Sequence, residues 1–316
     1  MTPQPGTPEA IQDPFGEGDD FVAAFQIEDA PVRGRITRLG EGTIDAILKR
    51  HDYPRWAAVL LGEAVTLAVL SVAALKFEGR ITVQAQGEGP VSLLVAEART
   101  DGGVRGYLRI DRDKWERMDR VNKGARPHVP QMLGRGVLAL ILTPDDPQAA
   151  PYQGIVPLDG ATLADCAQTY FAQSEQIPTR IRLAVAEISA PGTSVSSWRA
   201  GGALLQQVAG DASRGETEEA WRTAETLFDT VTDIELADPD LSSGRLLYRL
   251  FHEDGVRLEP PSALTDRCTC SEQRLAATLS SLSAEEAKSL AGDDGFIEAG
   301  CQFCGRTYKL SPSAVS

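Results

Sequence analysis

Four of the five cysteines in this 316-residue chain crowd its last fifty or so residues. Cys268 and Cys270 are separated by one residue, Cys301 and Cys304 by two, and thirty residues lie between the pairs. Two pairs of thiols on separate turns can close around one Zn²⁺ as the corners of a tetrahedron. Four sulfurs with no neighbouring histidine suit a structural ion better than a catalytic one, which keeps a position open for water. An iron–sulfur cluster is the other chemistry that four cysteines support. The one-residue pair departs from the wider spacing usual in zinc ribbons. Each pair is also close enough to oxidise within itself, with ordinary geometry for Cys301 and Cys304 and a smaller, more strained ring for Cys268 and Cys270. Zinc holds sulfurs as thiolates, the form that oxidants attack. Oxidation would remove the ligands, release the metal and unfold what the metal had folded. The pattern therefore describes a switch as well as a staple.

The surroundings must position these sulfurs. Pro260-Pro261 marks a boundary, and residues 262–316 form a small zinc-binding end domain with modest apolar content. A unit of that size rarely folds on its own core. Ser271 to Ser280 reads as a helix with Leu275 and Leu279 on one face, and Ser283 before Glu285-Glu286 reads as a cap. Gly305 lets the chain turn back, and Tyr308 and Leu310 complete a hairpin.

Residues 211–261 precede that end. From Asp211 to Glu259 there are 13 acidic and 5 basic residues, a net −8 out of −14 for the whole chain. Ala220, Trp221, Ala224, Leu227, Phe228 and Val231 form one helical stripe. Leu246, Leu247, Leu250 and Phe251 form a second, capped at Ser242 or Ser243 and separated from the first by Pro239. Isolated helices this short are marginal in water, so they must dock on something. Trp221, Leu227, Phe228, Leu247 and Phe251 are the candidates for a surface hidden in the docked state.

Residues 20–210 read as an α+β domain. Strands are expected at Phe21–Ile27, Val32–Arg38, Gly79–Gln86, Val91–Ala98, Val104–Ile110, Gly134–Leu142, Tyr152–Pro157 and Arg180–Ile188. Helices are expected at Ile44–Lys49 and Leu163–Glu175. Asp111–Arg120 is charged and fits neither pattern cleanly, and Trp198–Val208 holds a Gly-Gly turn. Trp56–Phe77 is apolar on nearly every side and reads as a central helix covered all round by sheet layers. It is long enough to span a membrane, but its flanks read as soluble protein. Residues 1–19, rich in Pro and Gly, read as a disordered tail rather than a secretion signal, which points to the cytoplasm.

The acidic balance disfavours nucleic acid as a partner, since that affinity rests on neutralising phosphates. No glycine loop has phosphate-binding spacing. Cys166 sits among apolar neighbours at helical spacing and reads as an inert buried thiol. His51, His128 and His252 suggest no nucleophile–base pair, so no catalytic residue is assigned and the chain reads as a non-enzyme. Glu63, inside the apolar helix, would need partners if buried. Arg33, Arg35 and Arg38 read as a salt-bridging surface patch.

The chain resembles the redox-regulated 33 kDa heat-shock chaperones of bacteria. The likeness runs through Arg33-Gly34-Arg35, His51-Asp52-Tyr53-Pro54, Leu75-Lys76-Phe77, Gln84-Ala85-Gln86-Gly87, Tyr152 to Val156, Tyr170-Phe171, Ser174-Glu175-Gln176, Leu247 to Glu253 and the two cysteine pairs. It covers almost everything after about residue 20. It implies one zinc per chain on Cys268, Cys270, Cys301 and Cys304 in the reduced state. It implies disulfides Cys268–Cys270 and Cys301–Cys304 after oxidation, zinc release, unfolding of the linker and end domain, and ATP-independent holding of unfolding client proteins. It also implies a homodimer on activation. The competing reading is a zinc-ribbon module that binds nucleic acid or protein with purely structural zinc.

Overall fold

A computed structural model describes residues 18–28, 30–189, 195–208, 217–280 and 283–314. The expected tail lies outside the described residues as far as residue 17, as does the start of the acidic segment. In chain order the first elements are β1 (Phe21–Ile27), β2 (Val32–Leu39), α1 (Ala46–Lys49), α2 (Arg55–Val72), β3 (Gly79–Gly87), β4 (Val91–Arg99), β5 (Gly103–Ile110), α3 (Arg112–Asn122) and α4 (Val129–Leu133). There follow β6 (Gly136–Pro144), β7 (Tyr152–Pro157), α5 (Leu163–Tyr170), β8 (Thr179–Ser189) and β9 (Ser196–Gln207). The acidic segment supplies α6 (Thr217–Phe228), α7 (Asp233–Ala237), α8 (Ser243–Phe251) and β10 (Val256–Leu258). The end of the chain supplies β11 (Ser262–Ala263), β12 (Thr265–Asp266), α9 (Glu272–Leu279), α10 (Ala284–Ser289), β13 (Ile297–Gly300) and β14 (Thr307–Leu310).

These elements form an α+β fold of two large sheets with α2 between them. One sheet runs β10-β1-β2-β9-β8, with β11 also on β1. The other runs β12-β5-β4-β3-β6-β7. Every residue of α2 from Ala57 to Val72 is buried, which is why its sequence lacks a polar face. Glycines in the sheets make the close approach possible. A Cβ on Gly202 would lie 2.4 Å from Thr66 of α2, and one on Gly106 would lie 2.9 Å from Val65, so α2 is gripped from both sides. This is the one helix among the described residues long and apolar enough to cross a membrane, and protein covers it.

Two expectations about elements are corrected, and a segment left open is resolved. The central helix ends at Val72, not Phe77, and Phe77 is exposed. The chain turns there to enter β3, and Ala74 and Leu75 close the helix end through bonds to the Ser71 and Val72 carbonyls. Asp111–Arg120 forms a helix, α3, capped by Asp111 and buried only at Trp115, so its charge pattern is a solvated face. Gly201-Gly202 makes no turn: both lie inside the continuous strand β9. The pair is a notch through which helices approach from opposite faces, since a Cβ on Gly201 would lie 1.9 Å from the Leu236 carbonyl oxygen of α7.

The arginine patch also differs from expectation. Arg35 and Arg38 are buried. Arg35 donates to the Gln206 side chain at 3.3 Å, and Arg38 reaches the acidic segment, as described below.

Glu63 is 4 % exposed within α2. It is ion-paired with Arg126, which enters from the chain after α3, beside a cavity of about 330 Å³ that Asp233 also lines. Burial pushes its carboxyl up to about 7, against the pull of Arg126. The folded pKa lies above the ordinary value of 4.5. The folded state therefore keeps the proton longer, and stability falls as pH rises from about 4.5 to about 7. Glu63→Gln is expected to flatten that slope and to raise stability above pH 7 by up to about 3 kcal/mol. Denaturant unfolding at pH 5 and pH 8 measures it, and an unchanged slope would remove Glu63 as its source.

Candidate metal centre

The first two sulfurs stand on extended chain just beyond β12, a strand that pairs with Gly103 and Val104 of β5. The second two stand in the turn between β13 and β14. There the Gly305 N–H donates to the Cys301 carbonyl at 2.8 Å, and the Cys301 N–H to the Arg306 carbonyl at 2.9 Å. Gly305 has φ +70°, a conformation that glycine adopts without the Cβ penalty.

All four sulfur atoms lie within 4.8 Å of one another. The Cys268 sulfur lies 3.6 Å from that of Cys301, and the Cys270 sulfur 3.4 Å from that of Cys304. A tetrahedral site with metal–sulfur bonds of about 2.3 Å needs sulfur–sulfur edges of about 3.8 Å. The donor set and its spacing therefore fit a soft, tetrahedral cation. All five cysteines are free. Cys301 is buried and the other three ligand candidates are half-buried.

Sulfurs this close resist ionising together. Burial pushes Cys304 up to about 12 and also raises Cys268. Burial acts the same way on Cys270, but hydrogen bonds from Tyr308 and the neighbouring thiols bring it down to about 7. The Tyr308 hydroxyl lies 3.2 Å from the Cys270 sulfur. A bound divalent cation would invert this repulsion and hold all four as thiolates.

The module around the sulfurs has a core of its own, but a small one. Ala287, Ile297 and Leu310 are buried, with Leu275, Leu279 and Tyr308 partly so. Ser283 forms a capping box with Glu286 at α10, as its sequence pattern suggests, and Ser271 caps α9. Contacts to the body hold the cysteine turn in place. Arg50, at the end of α1, donates to the Phe303 carbonyl at 2.8 Å and is ion-paired with Asp266. His51 Nε2 lies 2.9 Å from the Gln302 carbonyl. The Arg105 guanidinium of β5 lies 4.2 Å from the Phe303 ring centre and 3.8 Å from the Cys268 sulfur, and it bonds Glu97 at 2.9 Å. Phe303 in turn meets Tyr107 edge-on at 4.7 Å. Sequence reading passed over Arg50, Arg105 and Phe303, because no local pattern marks residues that meet only across the fold.

The acidic segment and the sulfurs share a physical link. Strands β10 and β11 pair with β1, and β12 pairs with β5, so the chain between α8 and Cys268 is stitched to both sheets. Upstream of it, α6, α7 and α8 cover the outer face of the first sheet and build a second core. Trp221, Phe228, Leu247 and Phe251 are buried there, and Leu227 is half-buried. Phe251 stacks on Phe25 of β1 with ring centres 6.2 Å apart. Arg38 pins the segment from below, donating to the carbonyls of Glu235 at 3.0 Å, Leu241 at 2.9 Å and Asp238 at 3.3 Å, and to that of Leu236.

The remaining sequence candidates stay apart from this centre. Cys166 is buried in α5, and burial pushes its thiol up. His128 precedes α4, and His252 follows α8 with its Nδ1 3.2 Å from the Tyr248 carbonyl. Neither stands beside the sulfurs, and His51 meets only the backbone of the cysteine turn.

Comparison with known proteins agrees with the geometry. The family model described as Hsp33 protein matches residues 20–311. A 33 kDa chaperonin of Caulobacter vibrioides is 50 % identical over 295 residues, covering 93 % of this chain and 95 % of that protein. One from Ectopseudomonas mendocina is 37 % identical over 301 residues, covering 94 % of each. The crystal structure of the Hsp33 homologue from Thermotoga maritima shares the fold with a TM-score of 0.73 at 23 % identity, over 94 % of this chain and 96 % of that one. With four close sulfurs at its end, an acidic helical cover over one sheet and a match from residue 20 to 311, the chain belongs to the Hsp33 family.

Proposed function

We propose that this chain is an ATP-independent holdase, silent while Cys268, Cys270, Cys301 and Cys304 hold one Zn²⁺ and active once those sulfurs are oxidised. Family membership makes the role a chaperone's and a non-enzymatic one. The bound ion supplies a cross-link between two stretches of chain that otherwise share little core. The chain's own residues do the rest. Cys268 and Cys270 end the strap that β10, β11 and β12 stitch to the sheets, and Cys301 and Cys304 hold the hairpin.

The expected disulfides join Cys268 to Cys270 and Cys301 to Cys304. Each forms from two thiolates with loss of two electrons to the oxidant, such as hypochlorite or peroxide. Pairing within each couple leaves the hairpin no longer tied to the strap, although all four sulfurs lie within 4.8 Å of one another. Loss of that tie frees the strap and, upstream of it, α6 to α8. Trp221, Leu227, Phe228, Leu247 and Phe251 then become accessible together with the sheet face they cover, and these apolar surfaces hold unfolding clients. The acidic charge of the segment keeps such a complex soluble. A homodimer of the active form and a cytoplasmic location belong to the same reading.

The observation that carries this reading is the second core, in which short acidic helices cover a sheet face with residues from Trp221 to Phe251. Helices of twelve, five and nine residues cannot hold their structure alone, so their order depends on staying docked. The test counts thiols and zinc per chain and measures suppression of aggregation, before and after peroxide at elevated temperature. About one zinc should leave per chain as four thiols disappear, and suppression should appear with that loss. Absence of suppression after verified oxidation would overturn the reading.

A further inference from the structure

The sheet face beneath the acidic helices is not simply apolar. Strand register sets one row as Arg180, Leu205, Gly34 and Phe25, and the next as Arg182, Ala203, Ile36 and Ala23. A third row holds Ala184, Gly201, Arg38 and Phe21, and Arg199 follows opposite Ala186. Directly opposed residues share a face, so four arginines stand among the apolar residues of the second core.

Each arginine reaches a group of the segment that covers it. Arg180 pairs with Glu225 at 2.5 Å. Arg182 lies 3.4 Å from the Asp229 carboxylate and donates to the Asp229 carbonyl, just beyond the end of α6, at 2.7 Å. Arg199 donates to the carbonyl of Ala237, the last residue of α7, at 3.1 Å, but its charge is answered by Asp19, ahead of β1 and outside the segment. Arg38 donates to the carbonyls at and beyond the end of α7. The face thus meets acidic side chains and the negative, unsatisfied carbonyl ends of helices, alongside an apolar stripe.

We propose that this face, once uncovered, selects client segments that are acidic amphipathic helices, so that the client takes the place of α6 and α7. The proposal rests on the holdase reading above and adds charge selectivity to it. When the acidic segment leaves, Glu225, Asp229 and the α7 carbonyls go with it. A client helix with Glu or Asp beside an apolar stripe restores those contacts, and one with Lys at the same positions meets the arginines as like charges. An overall acidic protein, at −14, would otherwise favour basic clients at long range, so the two outcomes are opposite in sign.

The experiment uses the full chain, oxidised and shown to have released its metal, and also the reduced metal-loaded chain. The probes are two labelled helical peptides with one Leu/Phe stripe, carrying Glu or Lys on the polar flanks, followed by fluorescence anisotropy. The oxidised chain should bind the Glu peptide about five- to tenfold more tightly, in line with two exposed charge pairs, and the preference should shrink at high salt. It should disappear in Arg180→Gln/Arg182→Gln, whose side chains are each 38 % exposed and whose loss therefore strains little; thermal unfolding of the reduced variant checks its fold. Equal binding of both peptides, preference for the Lys peptide, binding of neither, or a preference untouched by the double variant overturns the proposal while leaving the holdase reading intact. Failure of the oxidised parent chain to suppress aggregation overturns the holdase reading itself.

Discussion

Cys301→Ser is expected to lose the metal at neutral pH and to unfold the end of the chain beyond Asp266, while the two large sheets stay folded. Among the described residues the module buries just Ala287, Ile297 and Leu310 outright besides Cys301. Three small-to-medium side chains contribute roughly 1.5–3 kcal/mol each at best. A core that small leaves the entropy of ordering the module largely uncompensated. A structural zinc ion supplies on the order of 10–16 kcal/mol in small zinc-dependent units, so removing one of four ligands should tip the module to the unfolded side. Hydrogen exchange should show the amides of α9, α10, β13 and β14 losing protection. Those of β3, β4, β6 and α2 should keep it, because their core does not include the module. Chelation of the parent chain should give the same map. A module that remains protected after ligand loss would mean that its own core and the Arg50 and Arg105 contacts suffice, and the switch would have no lever.

Phe251→Ala is the second large effect. Phe251 is fully buried beneath α8 and stacks on Phe25. Truncating a buried Phe to Ala costs about 3–5 kcal/mol. That loss falls on the docking of α8 rather than on the sheets, since the sheet strands keep their own pairing and the α2 core. The variant should therefore bind its zinc yet show raised exchange across α6 to α8 and measurable suppression of aggregation without oxidant. Normal protection of those helices, or suppression that still needs peroxide in full, would separate the acidic segment from activity. Comparison with Tyr248→Ala, which removes a 42 % exposed ring from the same helix, controls for helix propensity, because an exposed side chain contributes little to docking.

The two variants act at opposite ends of one chain path. Cys301→Ser cuts the tie at the sulfurs, and Phe251→Ala loosens what the tie restrains. If the strap of β10 to β12 carries the coupling, the first should also raise exchange in α8, and the second should leave α9 and α10 unchanged.

Sequence alone determined the parts whose signal is local. Cysteine pairs declare themselves by spacing, because a four-sulfur site needs two short turns. The buried helix is legible because a rod covered on all sides can have no polar face, and the acidic stripes are legible through their 3.6-residue period. The cap at Ser283 and the turn at Gly305 follow from backbone chemistry confined to a few residues. Tertiary structure decided what depends on distant chain meeting. Gly201-Gly202 looks like a turn in one dimension and is a strand notch in three, because α7 and α2 press on it from opposite faces. Arg38 looks like surface charge until the carbonyls of residues about two hundred positions away surround it. Arg105 and Phe303 carry no sequence signal, and their contact beside Cys268 exists because β12 lays the end of the chain along β5. Short-range preferences fix which elements form, whereas long-range register fixes which side chains face one another, and a single sequence does not encode that second quantity in any contiguous window.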